Sequence, residues 1–148
     1  MQTNETPTPS SEIASPSYGF GRTLDTTVED AIARVTEALK SEGFGVLTTI
    51  DVQATLKAKL GVDQEPYVIL GTCNPPLAHR ALSADANAGL LLPCNVVVRA
   101  LPAVNGQPRA RIEFADPVSM LSIMQAPGLD DLASEARAKL ERVAAALA

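Results

Sequence analysis

Residues 96–115 read Val96-Val97-Val98-Arg99-Ala100-Leu101-Pro102-Ala103-Val104-Asn105-Gly106-Gln107-Pro108-Arg109-Ala110-Arg111-Ile112-Glu113-Phe114-Ala115. Asn105-Gly106 is the pair that favours a tight hairpin, because both central residues of the turn take positive φ. On its C-terminal side Ala110, Ile112 and Phe114 alternate with Arg109, Arg111 and Glu113, the period of a strand with one apolar and one wet face. The pattern predicts an antiparallel strand pair, the first strand over residues 90–101 and the second over 109–115, closed by Pro117.

Upstream, the apolar run Tyr67-Val68-Ile69-Leu70-Gly71-Thr72-Cys73 lies between Pro66 and Asn74 and suits a strand by length and β-branching. Asn74-Pro75 then starts a short helix to about Ala84, with Asn74 accepting from first-turn amides and Pro75 having no amide to leave unpaired. Residues 44–50 form another β-branched run, expected to place Val46, Thr48 and Ile50 on one side and Leu47 and Thr49 on the other. Between it and residue 67, Asp51 caps a peripheral helix ended by Gly61. Before it, Val28, Ile32, Val35 and Leu39 recur at helical spacing behind a capping box with Thr26 as N-cap and Glu29 reaching back, and Gly43 stops the helix. Residues 18–24 open the domain as a strand.

Downstream, Asp130 is expected to cap a final helix with Leu132, Ala136, Leu140, Val143 and Leu147 on one face. The order is therefore β-α-β, then mostly strands, then α. The solution for such a chain is an α+β fold, a largely antiparallel sheet with long helices packed on one face. Residues 1–16 hold nine Ser, Thr or Pro residues and read as a flexible tail, leaving residues 17–148 as a single domain.

Composition narrows the function. At 148 residues about 70% of the unfolded surface is buried on folding, so the core needs no disulfide or metal to hold it. A net charge of -5, with three Phe, two Tyr and no Trp, argues against nucleic acid, which is bound through clustered cations and stacking aromatics. No apolar run approaches the ~20 residues of a membrane span, and no signal-like segment precedes Arg22, so a cytoplasmic protein is expected. Gly19-Phe20-Gly21 lacks the third glycine of a dinucleotide fingerprint, and no Walker lysine motif is present.

One corner carries candidate chemistry. Thr72-Cys73-Asn74-Pro75 and Leu92-Pro93-Cys94-Asn95 form a near mirror at the end of one expected strand and the start of the next, and His79-Arg80 lies about a turn into the helix between them. Cys73, His79 and Cys94 would be three ligands suited to zinc, copper or iron. As an alternative, the amides and dipole of the following helix would favour a Cys73 thiolate, with His79 accepting a proton and Arg80 holding an anionic group, the elements of a thiol-dependent enzyme or redox sensor. The bland alternative makes both cysteines core, Asn74 and Asn95 turn residues that satisfy backbone groups, and His79 a surface residue. Met120, Leu121, Ile123 and Met124 would form a lip over a pocket or a subunit contact.

The runs 43–52, 67–78 and 90–98, taken together and in this order, resemble the bacterial and archaeal domain of unknown function family 302, over roughly residues 17–147. That resemblance implies a TATA-box-binding-protein-like β-α-β(4)-α topology and a homodimer. It carries over no catalytic residue, and it leaves the cofactor unknown. The resulting expectation is a homodimeric domain that binds a small molecule or metal at the corner of Cys73, Asn74, His79, Arg80, Cys94 and Asn95, without nucleic acid or membrane as partner. The rivals are the thiol enzyme or sensor using Cys73 or Cys94, and a protein-interaction scaffold with no small ligand.

Overall fold

The computed structural model describes residues 13–147; residues 1–12 of the expected tail lie outside it. Five strands form one antiparallel sheet: β1 (Gly19–Leu24), β2 (Gly45–Asp51), β3 (Tyr67–Cys73), β4 (Cys94–Val104) and β5 (Gln107–Ala115), in the order β1-β5-β4-β3-β2. The helices are α1 (Val28–Ser41), α2 (Val52–Leu60), α3 (Pro75–Ala84), α4 (Pro117–Leu121) and α5 (Leu129–Ala145). The expected β-α-β(4)-α order is present, with α2, α3 and α4 as short additions.

Helices α1 and α5 cover one face of the sheet. The stripe Ala31, Val35 and Leu39 of α1 and the stripe Leu140, Val143 and Leu147 at the C-terminal end of the chain meet Leu70, Val96, Val98, Ile112 and Phe114 in the main core. The period of 3.6 on the helices and of 2 on the strands thus bury the residues that the sequence marked. Phe20 stacks on Phe114 with ring centroids 5.5 Å apart, and the Arg137 guanidinium lies 5.7 Å over Phe20. Arg22 reaches from β1 to donate to the Ala144 carbonyl at 3.0 Å, satisfying an acceptor in the last turn of α5. A second, smaller core gathers α3, α4 and the start of α5 around Leu77, Ala81, Leu121, Leu129 and Leu132.

Local punctuation mostly follows the sequence. Asn105 and Gly106 have φ of 52° and 76°, as the hairpin requires. Gly43, at φ 82°, ends α1 in a Schellman motif, its amide donating to Lys40 and that of Phe44 to Leu39.

Five expectations are corrected. The N-cap of α1 is Thr27, whose hydroxyl accepts from the Asp30 amide at 3.1 Å, while Thr26 donates to the Asp30 carboxylate at 2.7 Å in place of the capping box with Glu29. A bulge between Val46 and Thr48 leaves Leu47 without a partner on β3, so Thr48 and Ile50 lie on the face opposite Val46. Strand β4 starts at Cys94 and not at residue 90, because residues 86–91 wind into a 3-10 helix ahead of a cis Leu92–Pro93 bond. Helix α5 starts after Gly128 in the left-handed conformation, and Asp130 lies inside its first turn. Finally, Arg111 is buried on the face expected to be wet: it pairs with Glu113 at 2.8 Å and donates to Thr23 and to Ser15 from the N-terminal segment.

Candidate functional site

The corner expected from the two Cys-Asn motifs is built where β3 hands over to α3 and where β4 begins. Asn74 is the pivot. Its side-chain carbonyl oxygen accepts from the Leu77 amide at 3.3 Å, capping α3, and its side-chain amide donates to the Glu42 carbonyl at 3.1 Å, tying α3 to the end of α1. Antiparallel pairing sets Thr72 opposite Cys94, and the Thr72 hydroxyl donates to the Cys94 carbonyl at 2.8 Å. Side chains alternate along a strand, so Cys73 leaves the sheet on the face opposite Thr72 and Cys94. The motifs share a sheet end but present their thiols to its two faces.

Around this end lies a cavity of about 400 Å³ between the two apolar cores. Cys73, Asn74, Cys94 and Asn95 all line it, as do Leu77 and Ala81 of α3, Met120 and Leu121 of α4, and Leu132 and Ala136 of α5. Its size is in the range of small-molecule sites, roughly 300–1,000 Å³. Of the expected lip, Met120 and Leu121 line the cavity, Leu121 as a buried member of the second core, whereas Ile123 and Met124 lie outside the lining, Met124 packed against that core and Ile123 largely exposed.

His79 and Arg80 are not part of it. Leu77 and Ala81, four apart, turn inward, and this spacing rotates His79 between them to the solvent side of α3. Arg80 pairs with Glu135 of α5 at 2.7 Å, and that hydrogen bond holds the Glu135 carboxyl below its usual range. Among the described residues no three His, Cys, Asp or Glu side chains are arranged to hold a metal ion. The expected Cys73, His79, Cys94 centre is therefore not assembled.

Both cysteines are free. Burial pushes the Cys94 thiol up to about 11, with a smaller contribution from Cys73. It stays protonated at neutral pH and is a poor nucleophile there. The first-turn amides expected to act on the Cys73 sulfur have other roles: Pro75 and Pro76 have none, that of Leu77 bonds the Asn74 side chain, and that of Ala78 bonds the Asn74 backbone carbonyl.

These motifs and their placement agree with the comparisons. The family model described as "Domain of unknown function DUF302" matches residues 20–147. The chain belongs to the DUF302 family. A solved relative, the crystal structure of an uncharacterized conserved DUF302 protein from Bacillus stearothermophilus, is 31% identical and superposes with a TM-score of 0.78, over 90% of this chain and 100% of its own. No functionally curated protein matches the sequence. The DUF302 domain here contains no helix long and apolar enough to cross a membrane among its described residues.

The cavity walls contributed by Phe44, Ala81, Leu132 and Ala136 were not singled out from the sequence as site residues. A signal was present in the alanines. Ala81 and Ala136 occupy inward positions where a larger side chain would fill the space between the two cores.

Proposed function

We propose that this DUF302 protein is a small-molecule binding domain whose site is the cavity at the β3–α3 corner, and that it works as a cytoplasmic homodimer without nucleic acid or membrane as partner. The single observation that carries the proposal is the cavity itself: about 400 Å³, almost wholly apolar, with a few asparagine, threonine and cysteine groups in its lining. Close packing leaves few voids larger than a water molecule in a protein interior, and an apolar hollow of this size is the usual form of a ligand site. The homodimer is supported by edge strand β2, where Leu47 and Ile50 stand 67% and 49% exposed, and by α2, a nine-residue helix with no buried residue. Acidic composition supports a partner other than nucleic acid.

The test uses the uncharged fluorescent probe N-phenyl-1-naphthylamine with the untagged full chain, beside native mass spectrometry. The expected result is saturable binding of one probe per chain to a dimer, abolished in Ala78→Phe, which fills the cavity from α3 and keeps a thermal midpoint near that of the parent. No saturable binding, or binding unchanged by Ala78→Phe, overturns the site. A monomeric mass at micromolar concentration overturns the dimer.

A further inference from the structure

The lining of the cavity carries a chemical restriction beyond its size. Among the described residues, no Asp, Glu, Lys, Arg or His contributes to it. Two helices begin at its wall, and a helix start is the usual backbone site for an anion. Both starts are already occupied. At α3 the two prolines offer no amide and the Leu77 amide is held by Asn74. At α4 Pro117 offers none, and the Val118 amide is held at 2.9 Å by the carboxylate of Asp116. That carboxylate, itself buried, is balanced by Arg137 at 2.6 Å and so provides no counter-charge for a cation. The polar side chains that remain in the lining offer no opposite charge: the Asn95 amide and the Thr48 hydroxyl at the exposed rim, the Cys73 side chain, a fully buried Thr72 hydroxyl already bonded to the Cys94 carbonyl, and a Cys94 thiol kept protonated by burial.

An ion entering such a space loses its hydration without gaining a partner, a cost that grows steeply with desolvation. We infer that the cavity selects uncharged ligands, an apolar body bearing at most a neutral hydrogen-bonding group such as an alcohol or a ketone, over a carboxylic acid or an amine of the same carbon skeleton. The inference rests on the cavity being the binding site proposed above.

Displacement of bound N-phenyl-1-naphthylamine by 1-octanol, octanoate and octylammonium at pH 7 separates the two claims. The three share a chain and differ in charge. The cavity chemistry predicts that the alcohol displaces the probe at a concentration at least about tenfold below that of either ion. The net charge of -5 acting alone would instead rank the ammonium first and the carboxylate last. Displacement by either ion within tenfold of the alcohol, or at a lower concentration, overturns the selectivity while leaving the site standing. Failure of the probe to bind at all overturns the site itself.

Discussion

Asn74 joins Glu42 across 32 residues of sequence: its side-chain amide donates to the Glu42 carbonyl at 3.1 Å while the same side chain caps α3. The residue is 7% exposed; its bond with Leu77 is buried and that to Glu42 part-buried. One asparagine in the cavity wall thus ties the start of α3 to the end of α1.

Asn74→Ala removes a cap and leaves a carbonyl unpaired. The expected loss is about 1–2 kcal/mol, combining a cap of about 1 kcal/mol with one part-buried hydrogen bond. Urea unfolding measures it. Asn74→Asp keeps the capping oxygen but not the donor to Glu42, and its stability should fall between those of the parent and the alanine variant.

Gly43 sits opposite that asparagine. At φ 82° it holds a conformation that an L side chain resists, and an added Cβ would lie 3.1 Å from the Asn74 side-chain nitrogen. Gly43→Ala should destabilise by about 1–2 kcal/mol. By contrast Gly45→Ala, with open space around its Cβ, is expected to change the urea midpoint little.

On the other face, Arg111 and Glu113 form a pair whose side chains are 5% and 19% exposed. Arg111→Met leaves the Glu113 carboxylate without its guanidinium and should cost about 3 kcal/mol, the lower end for a broken buried pair because Glu113 keeps some water. The double change Arg111→Met with Glu113→Leu is expected to recover most of that loss. Equal destabilisation in the single and double variants would contradict the pairing.

Cys94 makes the alkaline stability of the protein predictable. Its folded-state value of about 11 lies above the ordinary thiol value of 9.0. The folded state therefore holds a proton that the unfolded chain gives up, so the contribution is full below pH 9 and is lost as pH rises through about 11. Its size is about 2–3 kcal/mol at most. Cys94→Ser should abolish this part of the decline, and alkylation of Cys94 in the folded parent should stay slow until the pH approaches 11.

Much of the fold was legible in residue patterns because the patterns reflect interactions over a few residues. The stripes of α1 and α5, the apolar face of β5 at Ala110, Ile112 and Phe114, the Asn105-Gly106 turn and the Asn74 cap each follow from a local period or a local hydrogen bond, and each is present. Where local reading failed, a competing contact decided. Thr27 displaced Thr26 as cap, because the Asp30 carboxylate takes the Thr26 hydroxyl. The Leu47 bulge reversed the facing of Thr48 and Ile50, and a shift of one residue moves every later side chain to the other face of a strand.

The same division holds at the candidate site. The mirrored motifs put Cys73, Asn74, Cys94 and Asn95 at one sheet end provided that their two strands are antiparallel neighbours, and β3 and β4 are. Only the tertiary structure decided that a cavity and not a metal centre lies there. Pleating turns Cys73 away from Cys94, the inward stripe of α3 turns His79 to solvent, and the small side chains of α3 and α5 leave space between two cores that meet only once the chain has folded. Sequence spacing records which residues lie near one another along an element. The direction in which a side chain points, and the volume left when two packed surfaces fail to fill the space between them, depend on partners far away in the chain.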